Sequence, residues 1–348
     1  MSPFGVTLLE SVLKILFVWG IVMGVLLPNI VWLERRGAAF IQDRPGPNRV
    51  GPFGLFQSLA DVPKMFLKED ITPLYADKVL YLLAPLMSLV PALATFAVIP
   101  FGSSITLSGR DIPLVIADVN VGVLYVFALT SVGIYAIVLA GWSSNSKYSL
   151  MGGIRSSAQI ISYELAMGLA AVSVFMSASS LRLTKIVEYQ QGEIFGFIPR
   201  WNVIPQFVGC IIFMVSAFAE ANRAPFDLVE AESELVAGFH TEYSGFRFGM
   251  FFMSEYLNLI AASAMIATLY FGGWSLPGVT FTGLWGGVAS FIVFALKTAF
   301  FIWLFVWVRW TVPRFRYDQL MFLGWKVFLP LSLLNLLWTG WLVLMKWI

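Results

Sequence analysis

The chain has 348 residues, of which 59% are hydrophobic and only 12% are charged, and its formal net charge at pH 7 is +2. So small a net charge gives no support for nucleic-acid binding. Its single cysteine and single histidine are too few for an iron–sulfur cluster, which wants about four thiolates, or for a conventional metal site. No phosphate-binding glycine loop is present either. We therefore expect no metal, haem, flavin or iron–sulfur cluster bound by this chain itself.

Runs of about 20 apolar residues recur along the chain, and each is long enough to cross a bilayer. They predict an all-α, polytopic membrane protein with a single membrane domain, 1–348, and eight transmembrane helices. In chain order the predicted spans are 13–33, 79–99, 115–140, 159–176, 203–219, 250–271, 288–307 and 325–344. The first apolar run is too long for a signal peptide, so we expect a retained helix. Most Lys and Arg residues outside the spans follow odd-numbered spans, which places those loops in the cytoplasm and both termini in the periplasm.

The loop after the first span, 34–78, predicts a cytoplasm-side amphipathic helix. Apolar residues recur at helical spacing between Phe53 and Lys68, while charged residues occupy another side. Within it, Asp61 and Lys64 are i,i+3 neighbours that are close enough to pair. An ordinary surface helix on lipid headgroups fits the pattern equally well.

A second loop, 220–249, is unusually acidic for a position beside the membrane. Its carboxylates are Glu220, Asp227, Glu230, Glu232 and Glu234. If the segment is helical, several of them share a face, where mutual repulsion raises their pKa values and makes them titrate as a set. The alternative is a solvated acidic loop. The apolar and aromatic neighbours, such as Phe226, argue against it.

Ionisable residues also fall within or at the ends of the predicted spans: Asp118, Glu164, Glu255 and Lys297. Such residues normally face a bundle interior or a water-filled cavity. Taken singly, each could make only a helix–helix hydrogen bond. Together with Glu220 they favour a proton relay. For His240 we prefer a solvated loop residue to a titrating member of the acidic loop.

Two motifs resemble a known family. The first runs Gly46-Pro47-Asn48-Arg49-Val50-Gly51-Pro52 and leads to Asp61, Lys64, Lys68 and Glu69. The second runs Arg223-Ala224-Pro225-Phe226-Asp227-Leu228-Val229-Glu230-Ala231-Glu232-Ser233-Glu234 and continues to Gly245. With the span count and Ser162-Tyr163-Glu164, they resemble the H subunit (subunit 1) family of respiratory complex I, the proton-translocating NADH:quinone oxidoreductase.

The resemblance implies a translocase subunit that is not catalytic alone and whose substrate is a quinone, ubiquinone or menaquinone. Its partners would be the peripheral quinone-site and terminal iron–sulfur subunits, small membrane subunits leading to antiporter-like subunits, and lipid, in a bacterial inner membrane or organellar equivalent. The implied quinone chamber and entrance consist of Glu34, Arg35, Arg44, Asp61, Lys64, Phe226, Asp227, Glu230, Glu232 and Glu234. The implied relay begins with Glu220, Glu164 and Glu255.

Three alternatives remain open from the sequence. The membrane subunit of an energy-converting hydrogenase or related reductase has the same fold and another electron donor. A stand-alone ion transporter would also carry charges within the membrane, although the halves of this chain show no convincing repeat. A purely structural anchor would leave the buried carboxylates unexplained.

Overall fold

The computed structural model describes residues 3–107, 110–194, 198–227 and 235–345. Its helices are α1 (Pro3–Ile21), α2 (Leu27–Ile41), α3 (Gln57–Leu67), α4 (Lys78–Ala94), α5 (Gly122–Ser143), α6 (Lys147–Ala178), α7 (Leu183–Tyr189), α8 (Phe207–Glu220), α9 (Gly245–Tyr270), α10 (Gly283–Thr311), α11 (Tyr317–Phe322) and α12 (Leu329–Leu344). A π-helical turn, Val22–Leu26, joins α1 to α2, and another, Leu323–Phe328, joins α11 to α12.

The described strands form two short antiparallel hairpins, which the sequence did not predict. Strands β1 (Ser104–Leu107) and β2 (Arg110–Pro113) pair with Ser104 opposite Pro113. Strands β3 (Glu193–Ile194) and β4 (Ile198–Pro199) pair with Glu193 opposite Pro199. Both hairpins lie in connections between membrane helices. The chain is otherwise built from helices, as predicted for an all-α polytopic membrane protein.

Seven helical segments in the described ranges are long and apolar enough to span a membrane. They are Leu9–Ile41, Lys78–Ala97, Gly122–Ser143, Lys147–Ala178, Gly245–Tyr270, Gly283–Thr311 and Tyr317–Leu344. The predicted fifth span is the 14-residue helix α8, which at 1.5 Å per residue is about 21 Å long and shorter than the hydrocarbon core. Pro205 precedes it and disfavours helix at Ile204. Because Gln206 and Asn222 at its two ends are buried, its ends are enclosed by protein rather than lipid.

The start of the third span also differs from the prediction. Residues 114–121 were expected to be helical, but α5 begins only at Gly122. The preceding stretch instead forms backbone hydrogen bonds with the end of the second span, from Phe101 N to Leu114 O at 2.9 Å and from Ala117 N to Ala97 O at 2.9 Å. Since Pro113 ends β2 and cannot donate such a bond, an extended connection forms here.

Helix α6 lies at the centre of the bundle and contacts α5, α8 and α12. Its small residues bring neighbouring backbones close. A Cβ on Gly152 would lie 2.7 Å from the Cα of Gly238, and one on Gly141 of α5 would lie 2.7 Å from the carbonyl of Ser149. Tyr163 is fully buried on α6, and its hydroxyl donates to the carbonyl of Leu320 at 2.9 Å. This packing fixes α6 against the loops on either side of the acidic segment.

The loops after the odd-numbered predicted spans meet on one side of the bundle, which we call the charged face: the described parts of 42–77, 144–146, 221–244 and 312–316. Backbone hydrogen bonds join Asp77 N to Ser143 O at 3.0 Å and Phe315 N to Pro225 O at 3.2 Å. The hydroxyl of Tyr81 donates to the carbonyl of Glu242 at 2.7 Å. The opposite face carries both β hairpins.

The predicted amphipathic helix is present as α3, although it begins at Gln57 rather than near Phe53. Gly51, Phe53 and Gly54 all have positive φ, at 73°, 54° and 74°, and this conformation cannot continue a right-handed helix. A Cβ at position 54 would lie only 2.2 Å from the carbonyl oxygen of Pro47. Glycine therefore holds the turn that precedes α3 in place.

Candidate functional site

A buried ion cluster surrounds Glu34, which lies in α2 and is 5% exposed. Arg223 Nη1 donates to its two carboxylate oxygens at 3.1 and 3.2 Å, and the hydroxyl of Tyr256 donates at 2.7 Å. Arg309, near the end of α10, also donates to the same carboxylate. These donors offset the cost of placing a carboxylate in the protein interior. We call Glu34, Arg223, Tyr256 and Arg309 the Glu34 cluster.

Arg223 links the Glu34 cluster to the acidic loop. Its guanidinium lies over the ring of Tyr256, 4.1 Å from the centroid, and the residue is 3% exposed. None of the described residues accepts a hydrogen bond from its Nε or Nη2. The side chain is also close enough to Glu255 of α9 for electrostatic attraction. Arg223 thus lies between two carboxylates and keeps donors directed elsewhere.

Asp61 and Lys64 form the predicted ion pair, at 3.2 Å, on α3. The same carboxylate accepts from Arg35 Nη1 at 2.7 Å and from Gln57 at 3.2 Å. Burial by itself raises the pKa of Asp61, but the hydrogen bonds from Arg35, Lys64 and Gln57 outweigh it and leave the pKa below its ordinary value. Because Arg35 follows Glu34 in α2, the Asp61 carboxylate is joined to the Glu34 cluster through one helix.

A cavity of about 500 Å³ lies beside α2 on the charged face. Arg36 and Arg44 line it together with Phe40, Asn48 and Phe53. The guanidinium of Arg36 lies 5.7 Å from the ring centroid of Phe40 and 5.8 Å from that of Phe53. Cations and aromatic rings therefore share one cavity wall, an arrangement that suits an aromatic or anionic headgroup.

The start of the acidic loop is buried and held by contacts from two sides. Asp227 is 6% exposed and pairs with Arg314 at 2.9 Å. Phe226 packs edge-on against Tyr163, with ring centroids 5.2 Å apart. The solvated-loop alternative is therefore wrong for Asp227. The other predicted acidic residues, Glu230, Glu232 and Glu234, lie outside the described residues.

The structure places Gln159, which the sequence did not single out, directly behind this loop. The side chain is fully buried on α6, and its Nε2 donates to the carbonyls of Ala219 at 3.0 Å and Phe226 at 2.7 Å. One amide thus holds both the end of α8 and the start of the acidic loop. A glutamine one turn before Tyr163 in an apolar helix was the signal available in the sequence.

Glu220, Glu255 and Glu164 lie in one region below the charged face. Glu220 and Glu255 line the same small polar cavity, of about 30 Å³, together with Ser88 and Asn258. Glu220 also lines a second cavity of about 20 Å³, and each cavity is large enough for about one water molecule. Glu164 accepts a hydrogen bond from Ser131 and is close enough to Glu220 for the two carboxylates to repel each other.

The structure does not bring Asp118 or Lys297 to this region. Asp118 precedes α5 instead of lying within it, and it pairs with Arg182 at 3.3 Å on the opposite face. Lys297 is in α10, but its ammonium donates to the carbonyls of Phe271 and Ser275 at 2.7 Å each. Cations stabilise carbonyl groups at helix C-termini in this way. The prediction that the two residues share a polar file with Glu164, Glu220 and Glu255 is therefore wrong in its geometry.

The preferred interpretation of His240, a solvated loop residue, is also wrong. The side chain is 8% exposed and lies between aromatic rings, 5.0 Å from the centroid of Phe239 and 5.2 Å from that of Phe248. Burial lowers the pKa of His240 to about 4, since the charged imidazolium is disfavoured among apolar groups. This histidine is neutral at physiological pH.

Metal-binding groups of three or more His, Cys, Asp or Glu side chains are not found among the described residues. The site instead consists of ion pairs. Glu34 pairs with Arg223, Arg223 attracts Glu255, Glu255 shares a cavity with Glu220, and Glu220 repels Glu164. Charged groups therefore follow one another from the charged face into the bundle. A change in charge at one end can be felt at the other through these neighbours.

Comparisons with known proteins agree with the motif resemblance. The family described as NADH dehydrogenase matches residues 13–340. The chain is 50% identical over 346 residues to the NADH-quinone oxidoreductase H subunit 1 of Geobacter metallireducens, covering 99% of this chain and 100% of that relative. It is 53% identical over 315 residues to the H subunit 2 of the enzyme from Geobacter sulfurreducens, covering 90% and 91%. NADH-quinone oxidoreductase subunit 8 of Rhodothermus marinus is 52% identical over 88% of this chain and 90% of its own length.

Proposed function

This chain belongs to the H-subunit family of NADH-quinone oxidoreductase, and we propose that it forms the quinone entrance and chamber of that complex and begins its proton relay. As a membrane subunit of a multisubunit enzyme, it supplies side chains rather than a redox centre. The family assignment favours the respiratory complex over the hydrogenase, transporter and anchor alternatives. The proposal concerns what the charged face does within the complex.

The Glu34 cluster is the observation that carries the proposal. Both loops that carry the family motifs converge on it, the first through Glu34 and Arg35 of α2 and the second through Arg223. Two guanidinium groups share the Glu34 carboxylate, so this part of the wall has one positive charge in excess. A quinone headgroup that becomes negative during reduction would be stabilised beside it.

The quinone chemistry assigns a role to each loop. Two electrons from an iron–sulfur cluster on a partner subunit and two protons convert the quinone to the quinol. The proposed chamber is lined by Arg35, Arg44, Asp61, Lys64 and Phe226, with Asp227, Glu230, Glu232 and Glu234 as its acidic wall. Growing negative charge on the headgroup raises the pKa of nearby carboxylic acids and draws protons to them.

The relay begins where the acidic wall meets the bundle. A headgroup that attracts Arg223 weakens the hold of that guanidinium on Glu34 and Glu255, and the charge balance in the cavity shared by Glu255 and Glu220 then changes. Glu164 responds next, because it is electrostatically coupled to Glu220. The small membrane subunits and then the antiporter-like subunits would receive this signal. Asp118 and Lys297 lie outside the proposed route.

The orientation follows from the same assignment. The protein is a multi-pass membrane protein, and we infer that the charged face meets the peripheral subunits on the cytoplasmic side of the inner membrane, or its organellar equivalent. Both termini then lie on the periplasmic side. The bias of Lys and Arg toward odd-numbered loops supports this orientation.

The experiment is the substitution Glu34→Gln in the assembled complex. It removes the charge that holds two buried guanidinium groups and keeps an oxygen that can accept from Tyr256. We expect NADH:quinone activity to fall at least about tenfold, equivalent to about 1.4 kcal/mol in the barrier, while NADH oxidation by a hydrophilic acceptor is retained. The matched control is Asp318→Asn, since Asp318 pairs with Arg316 on an exposed part of the same face. Equal quinone activity in both variants would refute the proposed chamber.

A further inference from the structure

We propose that a cleft between α1, α9 and α10, in the opposite half of the membrane from the Glu34 cluster, binds one acyl chain of a phosphatidylethanolamine molecule whose headgroup contacts Lys14 and Glu10. The site lies away from the proposed quinone chamber. It does not depend on the proposed function, because lipid binding requires neither electron transfer nor proton transfer.

The cleft has a volume of about 420 Å³ and an almost wholly apolar wall. Phe17 and Val25 line it from the first membrane segment, Ile260 from α9, and Ala295 and Ala299 from α10. Lys14 is at one end. A cavity with so few polar groups favours a hydrocarbon ligand over a polar one.

The depth of Lys14 follows from the length of the first membrane segment. Glu34 lies 20 residues further along this nearly continuous helix, and at 1.5 Å per residue the two are about 30 Å apart, the thickness of the hydrocarbon core. Since Glu34 is at the charged face, Lys14 lies at the headgroup level of the other leaflet. The cleft then extends from Lys14 to Leu26, about 18 Å into the hydrocarbon.

The width of the cleft selects a single alkyl chain. A volume of about 420 Å³ spread over about 18 Å gives a mean cross-section of about 23 Å², or a diameter of about 5 Å. A transmembrane helix with its side chains is about 10 Å wide and does not fit. Non-bonded carbon atoms approach to about 3.5–4 Å, so one hydrocarbon chain fills a channel of this width.

The charges at the mouth select the headgroup. Lys14 Nζ lies 2.7 Å from a carboxylate oxygen of Glu10, and both side chains are partly exposed. They also line an adjoining cavity of about 780 Å³ with Leu13, Phe17 and Ile112. A cation beside an anion matches phosphatidylethanolamine, whose phosphate can accept from Lys14 while its ammonium donates to Glu10. A quinone has neither charge.

The first test uses the intact complex in lipid nanodiscs with a phosphatidylethanolamine that carries a photoreactive diazirine on one acyl chain. After irradiation, we expect adducts on this chain within 96–116 and 291–302, the segments that line the cleft from opposite sides. Excess unlabelled phosphatidylethanolamine should compete, and a long-tailed quinone should not. Adducts confined to other parts of the chain, or competition by the quinone alone, would overturn the proposal.

Two variants sharpen this test. Ala295→Trp fills the cleft, whereas Leu296→Trp adds the same side chain at a neighbouring, exposed position that does not line it. We expect labelling to fall about tenfold in the first variant and to stay at the wild-type level in the second. Equal labelling in both would overturn the proposal. If Ala295→Trp does not assemble, the positions of the wild-type adducts decide.

A headgroup test distinguishes the charge pair from simple apolar filling. Replacing Glu10 by Gln removes the partner for the lipid ammonium and leaves Lys14 to bind a phosphate alone. We expect this variant to lose its preference for photoreactive phosphatidylethanolamine over the phosphatidylglycerol analogue by about tenfold. An unchanged preference would overturn the assignment of the headgroup. NADH:quinone activity measured in the same samples reports separately on the proposed chamber.

Discussion

Replacement of Gln159 by Met should separate the stability of the bundle from the coupling of the acidic loop to the relay. Met is similar in length and apolar, so the main loss is of the two hydrogen bonds to the carbonyls of Ala219 and Phe226. Each buried carbonyl left without a donor costs about 1–3 kcal/mol, or about 2–6 kcal/mol for both. Part of this cost is avoided if the loop moves away from α6, and that movement is the expected functional defect.

The matched control is Gln206→Met. Gln206 is also fully buried, and its Nε2 also donates twice, to the carbonyl of Ser173 at 2.9 Å and to Ser177 Oγ at 2.7 Å. It lies at the far end of α8 from Glu220. We therefore expect both variants to lower the thermal midpoint of the complex by similar amounts, while only Gln159→Met lowers the NADH:quinone turnover rate.

The assay measures turnover, the apparent KM for a short-tailed quinone, and proton uptake into vesicles per electron pair. Gln159→Met should raise the KM and lower the proton ratio, since it releases both the chamber wall and the end of α8. Gln206→Met should retain wild-type values for both. If the two variants lose activity in parallel, or if Gln159→Met retains wild-type coupling, the link through Gln159 is refuted.

Three further predictions concern the relay, the buried histidine and the turn before α3. Glu220→Gln or Glu164→Gln should lower quinone reduction and coupled proton transfer, whereas Glu188→Gln on the exposed opposite face should not; vesicle assays with wild-type rates and proton ratios in both would count against the relay. The pKa of His240 is about 4 in the folded chain, below the ordinary 6.5, so below pH 6.5 the unfolded chain binds the additional proton and stability falls by up to about 3 kcal/mol toward pH 4. Thermal midpoints of the wild type should therefore fall more steeply over this range than those of His240→Asn, and parallel slopes would contradict the assignment. Gly54→Ala should destabilise the turn and reduce quinone activity because its Cβ would lie 2.2 Å from Pro47 O, while Gly20→Ala, with no atom within 4 Å of its Cβ, should behave as wild type in the same thermal and activity measurements.

The sequence predicted the membrane class and most spans because hydrophobic runs depend mainly on local composition. It did not predict the shortened α8, since burial of the ends of this helix depends on tertiary packing around Gln206 and Asn222. It predicted that α2 would end near Leu33, but the helix continues to Ile41. Hydropathy detects the lipid-facing part of a helix and not its continuation into a polar environment.

The candidate site shows the same division. The pair of Asp61 and Lys64 could be predicted because both residues are on one helix, three positions apart. The partners of Glu34 could not, because Arg223 and Arg309 are 189 and 275 residues away in the chain. Only the folded bundle brings them to one carboxylate. The geometry likewise removes Lys297 from the proposed relay, since its ammonium is satisfied by backbone carbonyls.

The most direct test of the quinone chamber is photolabelling of the intact complex with a quinone that carries a photoreactive group on its headgroup. The account predicts saturable adducts on this chain within 34–64 and 223–227, reduced by excess natural quinone and by Glu34→Gln. Saturable labelling of partner subunits with none on the charged face of this chain would contradict it.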